Sequence, residues 1–404
     1  MPSATAGGTP DLPIAIAGAG IGGLTAALTL AAAGFRVEIA ERAEKLSEVG
    51  AGIQITPNAG RVLAYLGLDG AMAKVAIEPA AIEVHNGIAG RRLTSVPGSA
   101  FRERYGFPYR VLHRADLQAL LADAVAHHAD IRLRLGATVA GAEDTGERIA
   151  MRLAGGEAID AAALIAADGV RSTLRAALPG AAQASPAGRT AWRAVVPVDK
   201  ARAPSVADTI GLWLGPDAHL VHYPVAHGKA VNIVAIVAKD ATGTGWDVPG
   251  DPTEIAERFS GWSAAVRRLI ASAESWQTFA LAAVGTAGPW TAGRLALLGD
   301  AAHAMMPFLA QGAAMAIEDA ARLAHALVTT PGDVPAALRT YESVRKQRVA
   351  RVRAASLTTG EVYHLGAAMA VARDAALSVA GRSLILARND WIYRWLPPAE
   401  EGSG

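Results

Sequence analysis

The sequence predicts an α/β fold: a lobe built on a parallel sheet, interrupted by a β-rich lobe and closed by a C-terminal helical segment. Three observations predict it. Ile14 to Gly34 (IAIAGAGIGGLTAALTLAAAG) reads as strand, glycine turn and helix, and RVEIAER follows as a second strand. Two further apolar runs ending in Asp-Gly or Gly-Asp lie far downstream, at Ala162–Ala167 and Leu295–Leu298. Between them the chain turns β-like.

Within the first stretch, Gly18, Gly20 and Gly23 form G-x-G-x-x-G directly after a short apolar strand. Gly18 permits the tight turn, Gly20 lets the backbone approach a pyrophosphate, and Gly23 lets helix and sheet pack closely. The helix start then offers N–H groups and a positive dipole end to the phosphates. Val37 and Ile39 alternate in the second strand, and Glu41 closes it about 20 residues beyond the glycines, placed to accept from an adenosine ribose hydroxyl. Strand, fingerprint, helix, strand and terminal acid together predict a Rossmann-like dinucleotide-binding lobe. A membrane span is not expected for this uncharged stretch, given its four glycines within six residues, nor a signal peptide, given the absence of Lys or Arg before it. The first dozen residues read as a loose tail.

The expected organisation is a first part of the nucleotide lobe at 11–184, a β-rich substrate lobe at 185–285, a second part of the nucleotide lobe at 286–330 and a helical segment at 331–404. TAWRAVVPV, TIGLWLG, HLVHYPV and AVNIVAIVA supply the strands of the β-rich lobe. His219 and Tyr223 share one face of the third of these, about 13 Å apart at ~3.3 Å per residue, so they cannot touch but can flank a ring. His222 faces the other way.

Composition narrows the chemistry. Lys and Arg number 38 against 37 Asp and Glu, which leaves no basic footprint for nucleic acid or an acidic membrane surface. The chain has no Cys, which removes disulfides, thiolate catalysis and Cys-ligated metal, and fits a reducing cytoplasm. No metal is expected. A small-molecule enzyme, monomer or homodimer, is the reading that remains.

In the late segment GDAAHAMMPFLAQGAAMAIEDA, Pro307 and Gly312 read as a turn followed by a helix whose N-terminus lies near Gln311 to Ala313. Gly312 and Ala313 allow close approach to the free N–H groups there, which stabilise an anion without a buried Lys. Glu318 and Asp319 read as structural ion-pairing groups with Arg322 at i+3 or i+4, and His303 as structural.

The ordered set GAGIGG with Glu41, HRADLQALL, ADGVRS and GDAAH…P…QG…AIEDA resembles the FAD-dependent aromatic hydroxylases, the single-component flavoprotein monooxygenases that include para-hydroxybenzoate and salicylate hydroxylases. The resemblance covers most of the chain. It implies that Gly18, Gly20, Gly23, Glu41 and Arg42 hold the ADP part of FAD, that Arg114 lies beside the flavin, that Asp168 serves flavin and pyridine-nucleotide use, and that Asp300 binds the ribityl chain. Gly312 and Ala313 would face the flavin's pyrimidine edge, with Pro307 and Gln311 on the substrate side. NADH or NADPH would be a transient reductant, and O2 would give a flavin C4a-hydroperoxide that hydroxylates a small aromatic acid.

His-x-x-x-Tyr-Pro at His219 and Tyr223 resembles the salicylate, 3-hydroxybenzoate and 6-hydroxynicotinate hydroxylase branch. That resemblance makes His219 the proton acceptor, with an ordinary pKa near 6.5, and Tyr223 its positioning partner. GAGIQITPNAG and PFLAQGAAMAIEDAARL look most like the 6-hydroxynicotinate-hydroxylating members, with one departure: Gln54 stands where they have a His. Gln54 cannot titrate, but its amide can bond flavin or substrate. A flavin epoxidase or reductase of a long apolar substrate would share the FAD motifs without needing the His219 and Tyr223 pair. An NAD-dependent dehydrogenase would share only the first fingerprint.

Overall fold

The computed structural model describes residues 12–46, 52–201, 206–238 and 246–400. The expected N-terminal tail and the first two residues of GAGIQITPNAG lie outside these.

A six-stranded sheet runs in the order Thr291–Ala292, Leu295–Leu297, Ala163–Ala166, Ile14–Ala17, Val37–Ala40, Ile131–Arg134. All neighbours are parallel except the edge pair Thr291–Ala292 and Leu295–Leu297. Ile14–Ala17 is buried along its whole length, which is why it reads as an unbroken apolar run: a central parallel strand is covered on both faces. The following helix, Ile21–Ala32, packs on helix Gly312–Thr329 through small residues. A Cβ on Gly22 would stand 2.9 Å from Leu298 Cδ2 and 3.2 Å from Ala316 Cβ, and the Thr29 hydroxyl donates to the Ala320 carbonyl at 3.1 Å. Among the described residues no helix is long and apolar enough to cross a membrane.

The second large sheet has eight strands, in the order Trp246–Gly250, Trp276–Val284, Ala184–Pro197, Ala230–Ala238, Ala218–Val225, Thr209–Gly215, Ala81–Asn86, Arg92–Pro97. Its last two strands come from far earlier in the chain, through a parallel pairing of Ala81–Asn86 with Thr209–Gly215. Period-two alternation divides this sheet. One face (Trp192, Leu220, Ile233, Trp276) packs on helices Pro252–Arg258 and Ala264–Ala271. The other carries Ile210, Leu212, His219, Val221 and Tyr223.

Helix Val334–Tyr363 runs for 30 residues and helix Ala367–Tyr393 for 27. The latter crosses strand Arg92–Pro97, where a Cβ on Gly381 would fall 2.7 Å from Thr94 Cβ. Polar ties hold its two ends: Asn86 to Asp374 at 2.5 Å, and Arg104 to Asp390 through two bonds of 2.8 and 2.6 Å.

Candidate active site

The glycine turn is set by sterics. Gly18 has φ +101°, and a Cβ there would lie 2.6 Å from the Ala167 carbonyl oxygen; one on Gly23 would lie 2.0 Å from the Gly18 oxygen. At Gly20, which caps the helix, nothing stands within 4 Å of the place a Cβ would occupy, and no side chain caps the helix end. The first-turn amides have no side-chain cap. Helix Gly312–Thr329 begins in the same way: Gln311 makes no side-chain cap, and Gly312 has open space where a Cβ would be. These two uncapped, donor-rich ends fit the phosphates and the electron-rich edge of a flavin dinucleotide.

Glu41 lies one residue beyond its strand, and its carboxylate accepts from Ala19 N at 2.8 Å and Ala43 N at 2.9 Å, tying the glycine turn to the second strand. Gln118, which sequence reading passed over, donates to the Ala19 carbonyl at 3.1 Å from helix Arg114–Ala126. Its signal was present in HRADLQ. Arg114 opens that helix, half-buried, and Arg42 is exposed. Asp168 accepts from Thr173 N at 2.9 Å at the start of the short helix Thr173–Ala176, which Ser172 caps by accepting from Arg175 N.

Asp300 is exposed at the head of the turn Asp300–His303. The preceding Gly299 donates its N–H to Asp319 at 3.1 Å, and the buried His303 bonds the same carboxylate at 2.6 Å. Burial alone would raise the Asp319 pKa; His303 and Arg345 outweigh it and bring it down to about 2. Here one expectation is corrected. Glu318 and Asp319 are ion-paired, but with Arg345 and Arg348 of the next helix rather than with Arg322. Arg345 reaches Asp319 at 2.6 Å and Glu318 at 2.7 Å, and Arg348 reaches Glu318 at 2.6 Å. Both acids are fully buried, so their partners must come from the element packed over them, and that is helix Val334–Tyr363.

Asn58 donates to Glu318 at 2.7 Å and to Gln311 at 3.1 Å, while Gln311 donates to the Thr56 hydroxyl at 3.1 Å. The Gln311 amide is thus spent on this buried network rather than turned to a cavity. Asn58, Thr56, Arg345 and Arg348 were not foreseen: RKQR reads as a solvated charge run until its fold partner is known.

A cavity of about 450 Å³ lies between the His219 face of the eight-stranded sheet, the Pro307–Ala310 segment and helix Ala367–Tyr393. His219, Gln54, Tyr109 and Pro307 line it. Gln54 accepts from the Tyr109 hydroxyl at 2.6 Å. Tyr223 itself is not on the cavity wall. Its ring is buried against Gly52, where a Cβ would come within 2.3 Å of it. His219 Nδ1 and His364 Nε2 are 2.8 Å apart. The expected ordinary pKa of His219 is corrected as well: burial first, then His364 and Arg189, push it well below 6.5. Burial and Arg189 likewise bring His364 down to about 4.

The FAD binding domain family matches residues 11–356. The chain is 34% identical to a 3-hydroxybenzoate 6-hydroxylase of Polaromonas naphthalenivorans (strain CJ2), over 95% of this chain and 96% of that protein. It is 33% identical to a 6-hydroxynicotinate 3-monooxygenase of Bordetella bronchiseptica, over 85% and 90% of the two. A salicylate hydroxylase solved with its substrate superposes with a TM-score of 0.82 at 27% identity, over 96% of this chain and 97% of that one.

Proposed function

The chain belongs to the FAD-binding-domain family as one of its flavoprotein aromatic hydroxylases, and from that membership we propose that it uses NAD(P)H and O2 to hydroxylate a ring-hydroxylated benzoate or pyridine carboxylate. The observation that carries the reading is the cavity in which His219 and Gln54 meet the Pro307–Ala310 segment, directly before an uncapped helix N-terminus.

Bound FAD supplies oxygen activation and transfer, which no side chain can perform. Gly18, Gly20 and Gly23, with Glu41 and Arg42, hold its ADP part. Arg114 would lie beside the flavin, Asp168 would serve flavin and pyridine-nucleotide use, Asp300 would take the ribityl hydroxyls, and the Gly312 and Ala313 amides would face the pyrimidine edge. Pro307 and the neighbouring turn close over the ring of the substrate. His219 draws the proton from the ring hydroxyl, raising the electron density of the carbon to be attacked. With its second nitrogen bonded to His364, a neutral imidazole can take a proton on one side while releasing one on the other, so a long-lived buried imidazolium is avoided.

The test is an NADH- and NADPH-oxidation screen of the FAD-loaded protein over hydroxybenzoates and hydroxypyridine carboxylates, with product mass measured. Gain of one oxygen atom is the expected result. Reduced-nucleotide consumption that yields only hydrogen peroxide with every compound would overturn the reading.

Glu41→Ala is expected to weaken FAD binding by about 1–3 kcal/mol, because a charged acceptor is lost both to the ribose and to the two turn amides it holds. Titration of the apoprotein with FAD measures it. An unchanged affinity removes Glu41 from the cofactor site.

A further inference from the structure

We propose that the substrate's ring carries an apolar substituent of several carbons, which lies between the eight-stranded sheet and helix Ala367–Tyr393. The proposal rests on the reading of the His219 cavity as the hydroxylation site.

Size is the first argument. An apolar cavity of roughly 150 Å³ already holds one benzene ring, whereas this one measures about 450 Å³. Of the residues read as meeting the dinucleotide, Gln54 is on its wall while Gly18, Glu41, Asp168, Asp300, Gly312 and Ala313 are not, so the volume beyond Gln54 lies off the path of the dinucleotide.

The wall chemistry is the second. Ile82, Val84, Leu212 and Leu214 project from one face of their adjacent strands by period-two alternation, and His219 is the polar residue among them on that sheet face. Opposite, Ala376, Leu377 and Ile385 of helix Ala367–Tyr393 supply the cover. Ala376 is small where a large side chain would close the space. A single-ring acid bound at His219 would leave these aliphatic walls facing water, next to chemistry that must exclude it. An apolar substituent covers them.

The experiment uses the FAD-loaded enzyme, NADH or NADPH, and a series of hydroxybenzoic acids bearing n-alkyl groups of zero to six carbons. The dissociation constant is read from the change in flavin absorbance, and kcat/KM from the hydroxylated product. The expected result is a rise in affinity of roughly threefold to fourfold for each added methylene, the factor that burial of one CH2 gives, over at least three carbons. In Ala376→Trp, which fills the cover from an exposed position, the ratio of long-chain to unsubstituted kcat/KM should fall at least tenfold, with flavin content and circular dichroism checking that the protein is folded.

Hydroxylation of the unsubstituted acid, with no gain along the series, overturns this inference and leaves the hydroxylase reading standing. Failure of every member to be hydroxylated or to perturb the flavin overturns this inference, and failure of the hydroxypyridine carboxylates as well overturns the hydroxylase reading. Gain along the series that survives Ala376→Trp places the substituent elsewhere and overturns the assignment.

Discussion

His219→Ala should lower hydroxylation about 100-fold or more while FAD stays bound, the usual scale for loss of a positioned general base. The ring is buried, lines the cavity and is joined to His364 at 2.8 Å, so its removal takes away both the acceptor and the route beyond it. The pH profile sharpens the test. A base works unprotonated, and burial, His364 and Arg189 hold the pKa of His219 well below 6.5. The acid limb of kcat/KM that belongs to this group is therefore expected well below pH 6.5. A wild-type limb centred near 6.5 would contradict the neutral pair. Tyr223→Phe should act more mildly, from behind the cavity wall, by raising the share of NADH wasted as hydrogen peroxide. If both variants hydroxylate near the wild-type rate with tight coupling, the acceptor lies elsewhere, with bound water near Gln54 the next candidate.

Arg345→Met should destabilise the fold by about 3–5 kcal/mol, since it takes from two buried carboxylates the one cation they share, leaving Glu318 to Arg348 and Asn58 and Asp319 to His303 and the Gly299 amide. Arg345, Glu318 and Asp319 are each fully buried, and the guanidinium serves both acids while its third nitrogen donates to the Met315 carbonyl at 3.2 Å. Denaturant unfolding of the FAD-loaded protein measures the change, and a loss below about 1 kcal/mol would refute it. Arg345→Lys should recover only part, because an ammonium cannot span both carboxylates as the fork does. The sign with pH follows from Asp319. Its folded pKa, about 2, lies below its ordinary value of 3.8, so its contribution is present above about pH 4 and is lost as pH falls toward 2. Asp319 also holds the Gly299 amide and His303, so the variant should loosen the turn that carries Asp300 and weaken FAD binding with it.

By itself the sequence determined the parts whose reasons are local. Gly18 must adopt a positive φ and Gly23 must leave room for the Gly18 carbonyl, so steric necessity writes the fingerprint into the residues themselves. The central strand is covered on both faces and hence uniformly apolar; the β-rich strands alternate because their faces differ. Pro307 and Gly312 mark a turn and a helix start for equally short-range reasons.

Only the tertiary structure decided the rest. Arg345 and Arg348 reach Glu318 and Asp319 from another helix, and rules of i+3 and i+4 spacing cannot see such a pair. Ala81–Asn86 and Arg92–Pro97 joined a sheet whose other six strands begin at Ala184 or later. Tyr223 shares a strand face with His219, yet packs under Gly52 because another lobe arrives there. The pKa of His219 was a property of its burial and its neighbours, not of its side chain. Local sterics and periodicity act within a few residues and are legible in a line of letters, whereas burial, charge pairing and cavity shape exist only where distant segments meet.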